Sequence, residues 1–406
     1  MMKIAWLSQY NVFKLLPEIK LNREVILHNS SWIHSLSEQL GLKKEIELHI
    51  ITYSHLVDQS QTIIKNGIYF HVIKYSFPFT NRGFPWYLPF DKLSGYYSFA
   101  KAARKIINEI RPDVVHVHGT EGGYFTPAAK KNIPYIISIQ GIISEIMKIE
   151  PTIAGLLQIP FEDHAIKKAT YFGCRTNFDS GFVKKKNRDA IIFDLPEAMN
   201  SVFFENDWKP LPELSLLFVG SIMKRKGIED LIQSINKLKV SFPDIRLKVI
   251  GSGTKKYTDY LKQIVEKKAL LSNVFWLGAR SPIEIASELS KSTLFVLPSL
   301  MDNSPNCLAE AMAVGVPCIA TKVGGIPSMV TDKIDGMLFE KHDVNKLVDI
   351  IQLLVRDKEL QKKLSVNAKA KAFQRNYPPN VAEKYIEVYK SLVNGSSKNI
   401  GNYTIV

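Results

Sequence analysis

Asp302 and Glu310, with seven residues between them, bracket the stretch of the chain whose side chains offer the most chemistry. Pro298-Ser299-Leu300-Met301-Asp302-Asn303-Ser304-Pro305-Asn306-Cys307-Leu308-Ala309-Glu310-Ala311-Met312 reads as a strand end, a polar loop and a helix that begins near Asn306. The first amides of a helix have no partner within it, and its amino end carries a partial positive charge, so this point suits a diphosphate. Asn303, Ser304, Asn306, Cys307 and Leu308 form the loop and first turn that such an anion would touch. A carboxylate only accepts hydrogen bonds and so suits paired hydroxyl donors: Glu310 fits a ribose diol, and Asp302 the hydroxyls of a sugar. The plainer reading makes Asp302 a loop residue and Glu310 part of a solvated helix face. Glu310, however, lies between Ala309 and Ala311 in a strongly apolar helix, where an unpaired charge is costly.

A second group complements the first. Leu216-Leu217-Phe218-Val219 is a buried-strand run that stops at Gly220 and passes through Ser221-Ile222-Met223-Lys224-Arg225-Lys226-Gly227 into a helical pattern. Cations at the carboxyl edge of a strand reach a pyrophosphate, and each charge-assisted hydrogen bond to one contributes about 1.5–3 kcal/mol. Alone, the turn is equally a solvated basic loop; its place on the first strand of a second sheet favours binding.

Two sheets are needed to position these groups. Short β-branched runs alternate with helical patterns at 3–8, 46–52, 68–75, 113–117, 135–139, 170–173 and 190–193, and again at 215–219, 246–250, 274–277, 293–297 and 317–320. Such alternation specifies parallel α/β units. Residues 195–212, rich in Pro, Asn, Asp and Glu without a sustained period, read as a linker. The expected fold is α/β, with a Rossmann-like acceptor-side domain over 1–200 and a Rossmann-like donor-binding domain over 201–376. A helix over 377–393 returns to the first domain, and 394–406 forms a flexible tail. Doubly wound sheets bind ligands beyond the carboxyl ends of their strands, and two facing sheets enclose a central cleft.

Composition narrows the classes. At 46% hydrophobic and 23% charged residues, the 406-residue chain is globular rather than disordered or fibrous, and long enough for two cores. Cys174, Cys307 and Cys318 form neither a metal-ligand spacing nor an even disulfide set, which points to reduced thiols. The amino end lacks a secretory h-region and no apolar run reaches bilayer length, so a cytoplasmic location is expected. The net charge of +14 is spread over both halves, with 24 basic and 18 acidic residues in 1–200. That spread argues against a dedicated nucleic-acid face and is compatible with anionic donors and with peripheral contact on the inner face of an anionic membrane. General solubility explains the charge equally well.

The two motifs and the order of elements around them resemble family four of the retaining glycosyltransferases, enzymes of GT-B fold. The likeness runs along nearly the whole chain and is strongest over 216–339. In that family an acidic residue, seven intervening residues and a glutamate form the donor signature. Glu310 matches the ribose-binding glutamate, and Asp302 stands where the longer glutamate is commoner. Lys226 matches the phosphate-binding lysine, whereas Ser221 occupies a position where arginine is usual; either Lys224 or Arg225 supplies the missing charge, or the diphosphate is held by one cation fewer. Val323-Gly324-Gly325-Ile326-Pro327 and Asp335-Gly336-Met337-Leu338-Phe339 look like the family's glycine-rich turn and the strand after it. Gly251-Ser252-Gly253 and Gly278-Ala279-Arg280 end strands where a nucleotide base would be approached.

In the first domain, Arg111-Pro112-Asp113-Val114-Val115-His116-Val117-His118-Gly119 resembles the family's central strand. Alternation places His116 and His118 on one face, in either a core or a catalytic role. The next strand ends Ile139-Gln140-Gly141, with Gln140 where many relatives carry histidine. Asn29-Ser30-Ser31-Trp32-Ile33 looks like the loop near the donor phosphates and acceptor, with Ser30 and Ser31 where glycines are frequent; plain helix capping also accounts for it. Phe79, Phe84, Trp86, Tyr87 and Phe90, interleaved with Arg82 and Lys92, fit a sugar platform, a membrane-interface segment or a packed loop.

The resemblance implies transfer of a sugar from a nucleotide diphosphate sugar to a glycan or lipid-linked acceptor, with retention at the anomeric carbon by front-side displacement. Lys226 and the helix amino end would stabilise the leaving diphosphate, without metal or other cofactor. Two other readings stay open: an epimerase or phosphorylase on the same architecture, and a donor-binding partner subunit without turnover, the latter motivated by Ser221, Gln140 and Asp302.

Overall fold

The computed structural model describes residues 1–16, 31–75, 96–128 and 133–395. Asn29, Ser30, the side chain of Ser31, the aromatic residues Phe79 to Phe90 with Arg82 and Lys92, and the tail from 396 lie outside the described residues. The chain divides into two compact units, Met1–Ala198 with Val381–Val406, and Met199–Asn380.

In the first unit, strands β1 (Met2–Leu7), β2 (Ile46–Ser54), β3 (Gln61–Lys65), β4 (Ile68–Lys74), β5 (Val114–His118), β6 (Tyr135–Ser138), β7 (Tyr171–Cys174) and β8 (Ile191–Asp194) form one sheet. Their order is β3-β4-β2-β1-β5-β6-β7-β8. Every pair is parallel except β3–β4, a hairpin at the edge. Asn66 and Gly67 turn that hairpin at φ 52° and 76°, the left-handed pair that an Asn-Gly two-residue turn supplies. β3 is absent from the expectations above because its residues alternate weakly and are mostly exposed. Val114–His118 is buried throughout, as a strand covered on both faces must be.

The last helix, Pro378–Val393, supplies residues from Val381 onward to this unit. Two of its tyrosines are sealed against the sheet: Tyr385 and Tyr389 are 1% and 0% exposed. The Trp6 indole N–H donates to the Tyr389 hydroxyl at 2.9 Å, and that hydroxyl meets His116 Nδ1 at 2.6 Å. Because the indole can only donate, the tyrosine proton is left for Nδ1. His116 Nε2 then carries the ring proton and donates to Ser138 Oγ at 2.8 Å. Lys384 adds an ion pair to Asp194 at 2.6 Å. A polar chain through the core thus holds this helix on the sheet that contains β1.

The second unit is a six-stranded parallel sheet of β9 (Ser215–Val219), β10 (Arg246–Ile250), β11 (Val274–Gly278), β12 (Leu294–Leu297), β13 (Cys318–Thr321) and β14 (Met337–Phe339), in the order β11-β10-β9-β12-β13-β14. The chain builds outward from β9 on one side, then returns to its other side with β12, pairing Leu294 with Leu216 and Phe295 with Leu217. At such a reversal the loops after the two central strands diverge and leave a crevice. Those loops are Gly220–Gly227 and the stretch that follows Pro298. Two further helices, Val344–Arg356 and Lys358–Asn376, complete the unit before the last helix begins.

Candidate functional site

The reversal in the second sheet brings together the two motifs that sequence spacing singled out. After β9 the chain makes a short 3-10 turn over Lys224–Lys226 and passes through Gly227, at φ 68°, into the helix Ile228–Leu238. A Cβ on Gly227 would lie 1.9 Å from the carbonyl oxygen of Pro298, so glycine lets this turn close against the end of β12. Leu300 N–H donates to the Arg225 carbonyl at 2.7 Å and ties the two loops.

Three side chains then converge on Asp302. Lys226 Nζ lies 2.5 Å from Oδ2, Arg225 Nη1 lies 3.7 Å from Oδ1, and Ser299 Oγ donates to Oδ2 at 3.1 Å. Lys226 is 7% and Asp302 8% exposed, so the pair is nearly dry. Burial pushes the Asp302 carboxyl up, but Lys226, Arg225 and the hydrogen bonds outweigh it and hold the group below the usual aspartate range. The backbone of Asp302 is seated on the glycine-rich turn: Gly325 N–H donates to its carbonyl at 3.0 Å, and a Cβ on Gly324 would come within 1.9 Å of the same oxygen.

The helix Asn306–Val314 starts four residues on and stops at Gly315, at φ 86°. Pro305 is its N-cap and has no side-chain acceptor for the first amides, unlike the serine and threonine caps elsewhere in this unit. Asn303 and Leu308 are buried; Ser304, Asn306 and Cys307 are half-buried. Burial is the main reason the Cys307 thiol is pushed up to about 12, with Asp302 and Glu310 adding to the effect and Lys226 opposing it. Glu310 is 8% exposed in the interior of the helix, which removes the solvated-face reading. Ser221 and Lys224 are exposed. Gly278 ends β11 at φ 71° with open space around it.

The residues expected on the acceptor side belong to the first unit, whose strand order reverses between β1 and β5. His118 ends β5, stacked on His116 at 4.0 Å, with Trp6 at 4.5 Å and Trp32 at 5.3 Å between ring centroids. It is 6% exposed, and neither ring nitrogen has a partner among the described residues. Burial, then the neighbouring His116, hold it well below the ordinary histidine range, so it is neutral. Trp32 is buried and Gln140 half-buried. Sequence reasoning passed over Glu121, Glu162, Arg175 and Glu197, which gather around Gln140. The available signal was that Glu121, Arg175 and Glu197 each follow within three residues of a strand's carboxyl end, as ligand-facing groups of such sheets do.

Among the described residues no helix is long and apolar enough to cross a membrane, and no group of three or more His, Cys, Asp or Glu is arranged to hold a metal ion.

Two parallel-sheet α/β units, the second carrying a basic turn and a helix start at its reversal point, define the GT-B class of glycosyltransferase. Sucrose-phosphate synthase from Thermosynechococcus elongatus has the same fold, with a TM-score of 0.80 at 18% identity over 97% of this chain and 100% of that one. So does Anabaena HepE in complex with UDP and glucose, with a TM-score of 0.71 at 15% identity over 96% of this chain and 100% of that one. Residues 203–371 match the family described as glycosyl transferases group 1, and residues 25–176 match the glycosyl transferase 4-like family. An uncharacterized glycosyltransferase of Methanocaldococcus jannaschii is 28% identical over 80% of this chain and 85% of its own length. The N-acetyl-alpha-D-glucosaminyl L-malate synthase of Bacillus anthracis is 24% identical over 87% and 91%. The chain belongs to the family-four glycosyltransferases.

Proposed function

We propose that the chain transfers a sugar from a nucleotide diphosphate sugar to a glycan or lipid-linked acceptor with retention of anomeric configuration, working in the cytoplasm at the inner face of the membrane and without a metal. The observation that carries the donor half is the convergence of Lys226, Arg225 and the Asn306 helix start at the reversal of the second sheet. In the reaction the bond from the anomeric carbon to the diphosphate breaks and its electron pair stays on the phosphate oxygen. The acceptor hydroxyl bonds to the same face of the carbon, and its proton passes to the departing phosphate. Lys226, Arg225 and the amides of Asn306 and Cys307 stabilise the charge that develops on the leaving group, where fixed dipoles count most; Leu308 N–H, expected there too, instead donates to the Pro305 carbonyl at 3.0 Å. Glu310 takes the ribose diol, Asp302 the sugar hydroxyls, and Gly220, Ser221, Asn303, Ser304 and Gly278 border the nucleotide. On the acceptor side the proposal assigns Ser31, Trp32, Gln140 and neutral His118, whose ring nitrogens suit a hydroxyl partner.

UDP is the first nucleotide to try, since Anabaena HepE is described with UDP and glucose. A panel of UDP-, GDP- and dTDP-sugars read by thermal stabilisation identifies the donor, because a ligand that binds only the folded chain raises its melting point. Slow release of nucleoside diphosphate from that donor, lost in Glu310→Ala, is the expected result. Tight binding without release, even with cell extract as acceptor, would make the chain a donor-binding subunit instead.

A further inference from the structure

The loop after β6 is built in an unusual way. The last ladder bonds there run from Gly119 N–H to the Ser138 carbonyl and from Ile139 N–H to the Gly173 carbonyl, both 2.9 Å. Beyond Ile139, successive backbone groups are taken by charged side chains from three other elements. The Gln140 carbonyl accepts from Arg175, which follows β7 and is also paired with Glu197. Gly141 N–H donates to Glu121 Oε1 at 2.8 Å, from just past β5. Ile143 and Ser144 N–H donate to the two carboxylate oxygens of Glu162, at 2.7 and 3.2 Å, from the helix Ile159–Lys168. Ile142, the N-cap of the short helix Ile143–Ile146, offers no side-chain acceptor, and Glu162 does that work from a distance.

Glu121 is fitted into this arrangement by two glycines. A Cβ on Gly119 would sit 2.2 Å from Glu121 Oε2, and one on Gly141 would sit 2.8 Å from Oε1. Glu162 and Arg175 are 1% and 6% exposed and Glu121 is half-buried, so two of the three charges that fix the loop are largely withdrawn from water and the third partly so. Burying charge to hold four backbone groups is costly, and is justified where a neighbouring side chain must be held in one place. The side chain so held is half-buried Gln140, whose amide offers both an acceptor and donors.

We propose that Glu121 is a positioning residue: through Gly141 N–H it fixes the loop that presents Gln140 to a hydroxyl-bearing acceptor. The inference rests on the transferase reading for its acceptor, and on geometry alone for the loop. Burial pushes the Glu121 carboxyl up, with Glu162 adding to the push and the Gly141 amide and Arg175 opposing it. A neutral amide at this position therefore preserves the bond to Gly141 without the buried charge.

The test uses the full chain with Glu121→Ala and Glu121→Gln, and three readouts. They are UDP affinity by calorimetry, hydrogen exchange of peptides covering 139–146, and sugar transfer from the identified donor to a membrane lipid extract of varied concentration. Glu121→Ala is expected to bind UDP within about twofold of the unsubstituted chain, to exchange the 139–146 amides roughly tenfold faster, and to raise the apparent KM for the extract about fivefold or more. Glu121→Gln is expected to restore both exchange and KM. Unchanged exchange in Glu121→Ala overturns the proposal, as does a Glu121→Gln chain with normal exchange but the alanine variant's KM, which would make the carboxylate itself a reacting group. Failure of the transferase reading looks different: the unsubstituted chain then neither binds nor turns over a donor, while the exchange comparison still decides the loop.

Discussion

Lys226 Nζ and Asp302 Oδ2 are 2.5 Å apart, so the cation assigned to the donor diphosphate already holds an anion of its own. A diphosphate that arrives at Lys226 meets the Asp302 carboxylate as well, and the departing nucleoside diphosphate, more negative than its sugar ester, meets it more strongly. Asp302→Asn should therefore bind UDP more tightly, by about 1 kcal/mol or roughly fivefold, while turnover falls because sugar contact and product release both suffer. The same change strands Lys226 nearly buried without its partner, which costs the ligand-free fold about 3 kcal/mol. The joint expectation is a lower melting temperature without UDP and a larger rise on adding it than in the unsubstituted chain. Calorimetry and thermal melts at several UDP concentrations check both halves; weaker UDP binding in Asp302→Asn would show that the carboxylate organises Lys226 rather than competing for it.

Arg225 and Lys224 separate in the structure, although they are adjacent in the sequence. Arg225 Nη1 reaches to 3.7 Å from Asp302 Oδ1, whereas Lys224 is exposed. Of the two, Arg225 is therefore the better placed to compensate for Ser221. Arg225→Ala should weaken donor binding by about tenfold, the worth of one charge-assisted bond, and Lys226→Ala by more, while Lys224→Ala stays within about twofold. Equal losses at 224 and 225 would mean that the diphosphate sits further out on the turn.

Much of this was legible in the sequence, for identifiable reasons. The alternation of buried runs and helical patterns is a local property, so both sheets and the last helix could be placed from it. The helix start at Asn306 was equally local. What the pattern could not give was the neighbour of β9: only the sheet order sets β12 beside it, and with that order comes the Lys226–Asp302 pair, 76 residues apart. The Gln140 loop was hidden for the same reason, since Glu121 and Glu162 lie 20 and 19 residues from the amides they hold. β3 was missed differently: its Asn66-Gly67 turn signal was present and went unused beside a weakly alternating, exposed strand.

Gly227 and Gly278 offer a paired test of how closely the site is packed. Both adopt positive φ, 68° and 71°, and an alanine at either pays the left-handed penalty of about 1–2 kcal/mol. Only at Gly227 does the added Cβ also collide, 1.9 Å from the Pro298 carbonyl oxygen; around Gly278 the space is open. Gly278→Ala should lower stability by about that penalty and leave a functional phosphate turn. Gly227→Ala must push the turn away from β12, so it should cost several-fold more and abolish measurable UDP binding. Urea unfolding and calorimetry on the two variants decide it, and equal behaviour would remove Gly227 from the account of the site.

His116 makes the attachment of the last helix sensitive to acid. Burial holds its ring down to about 3, against an ordinary value of 6.5, and its two nitrogens are committed to Tyr389 and Ser138. The folded value lies below the unfolded one, so between pH 6.5 and about 3 the unfolded chain takes up a proton that the fold refuses. Stability is thus full above 6.5 and declines as pH falls, by at most about 1.4 kcal/mol per unit from this group. Asp302, depressed instead below its ordinary 3.8, adds its own loss only at still lower pH, as its carboxylate is protonated. Tyr389→Phe removes the hydroxyl that links Trp6 to His116 and should cost about 2 kcal/mol at neutral pH, since it leaves a buried donor and a buried acceptor unmatched. With Nδ1 released, His116 should also titrate higher, so the variant's acid decline should be shallower than that of the unsubstituted chain. Urea midpoints at about pH 7, 6 and 5, one unit apart, measure both effects; parallel pH curves for the two proteins would show that the tyrosine hydroxyl does not hold the imidazole neutral.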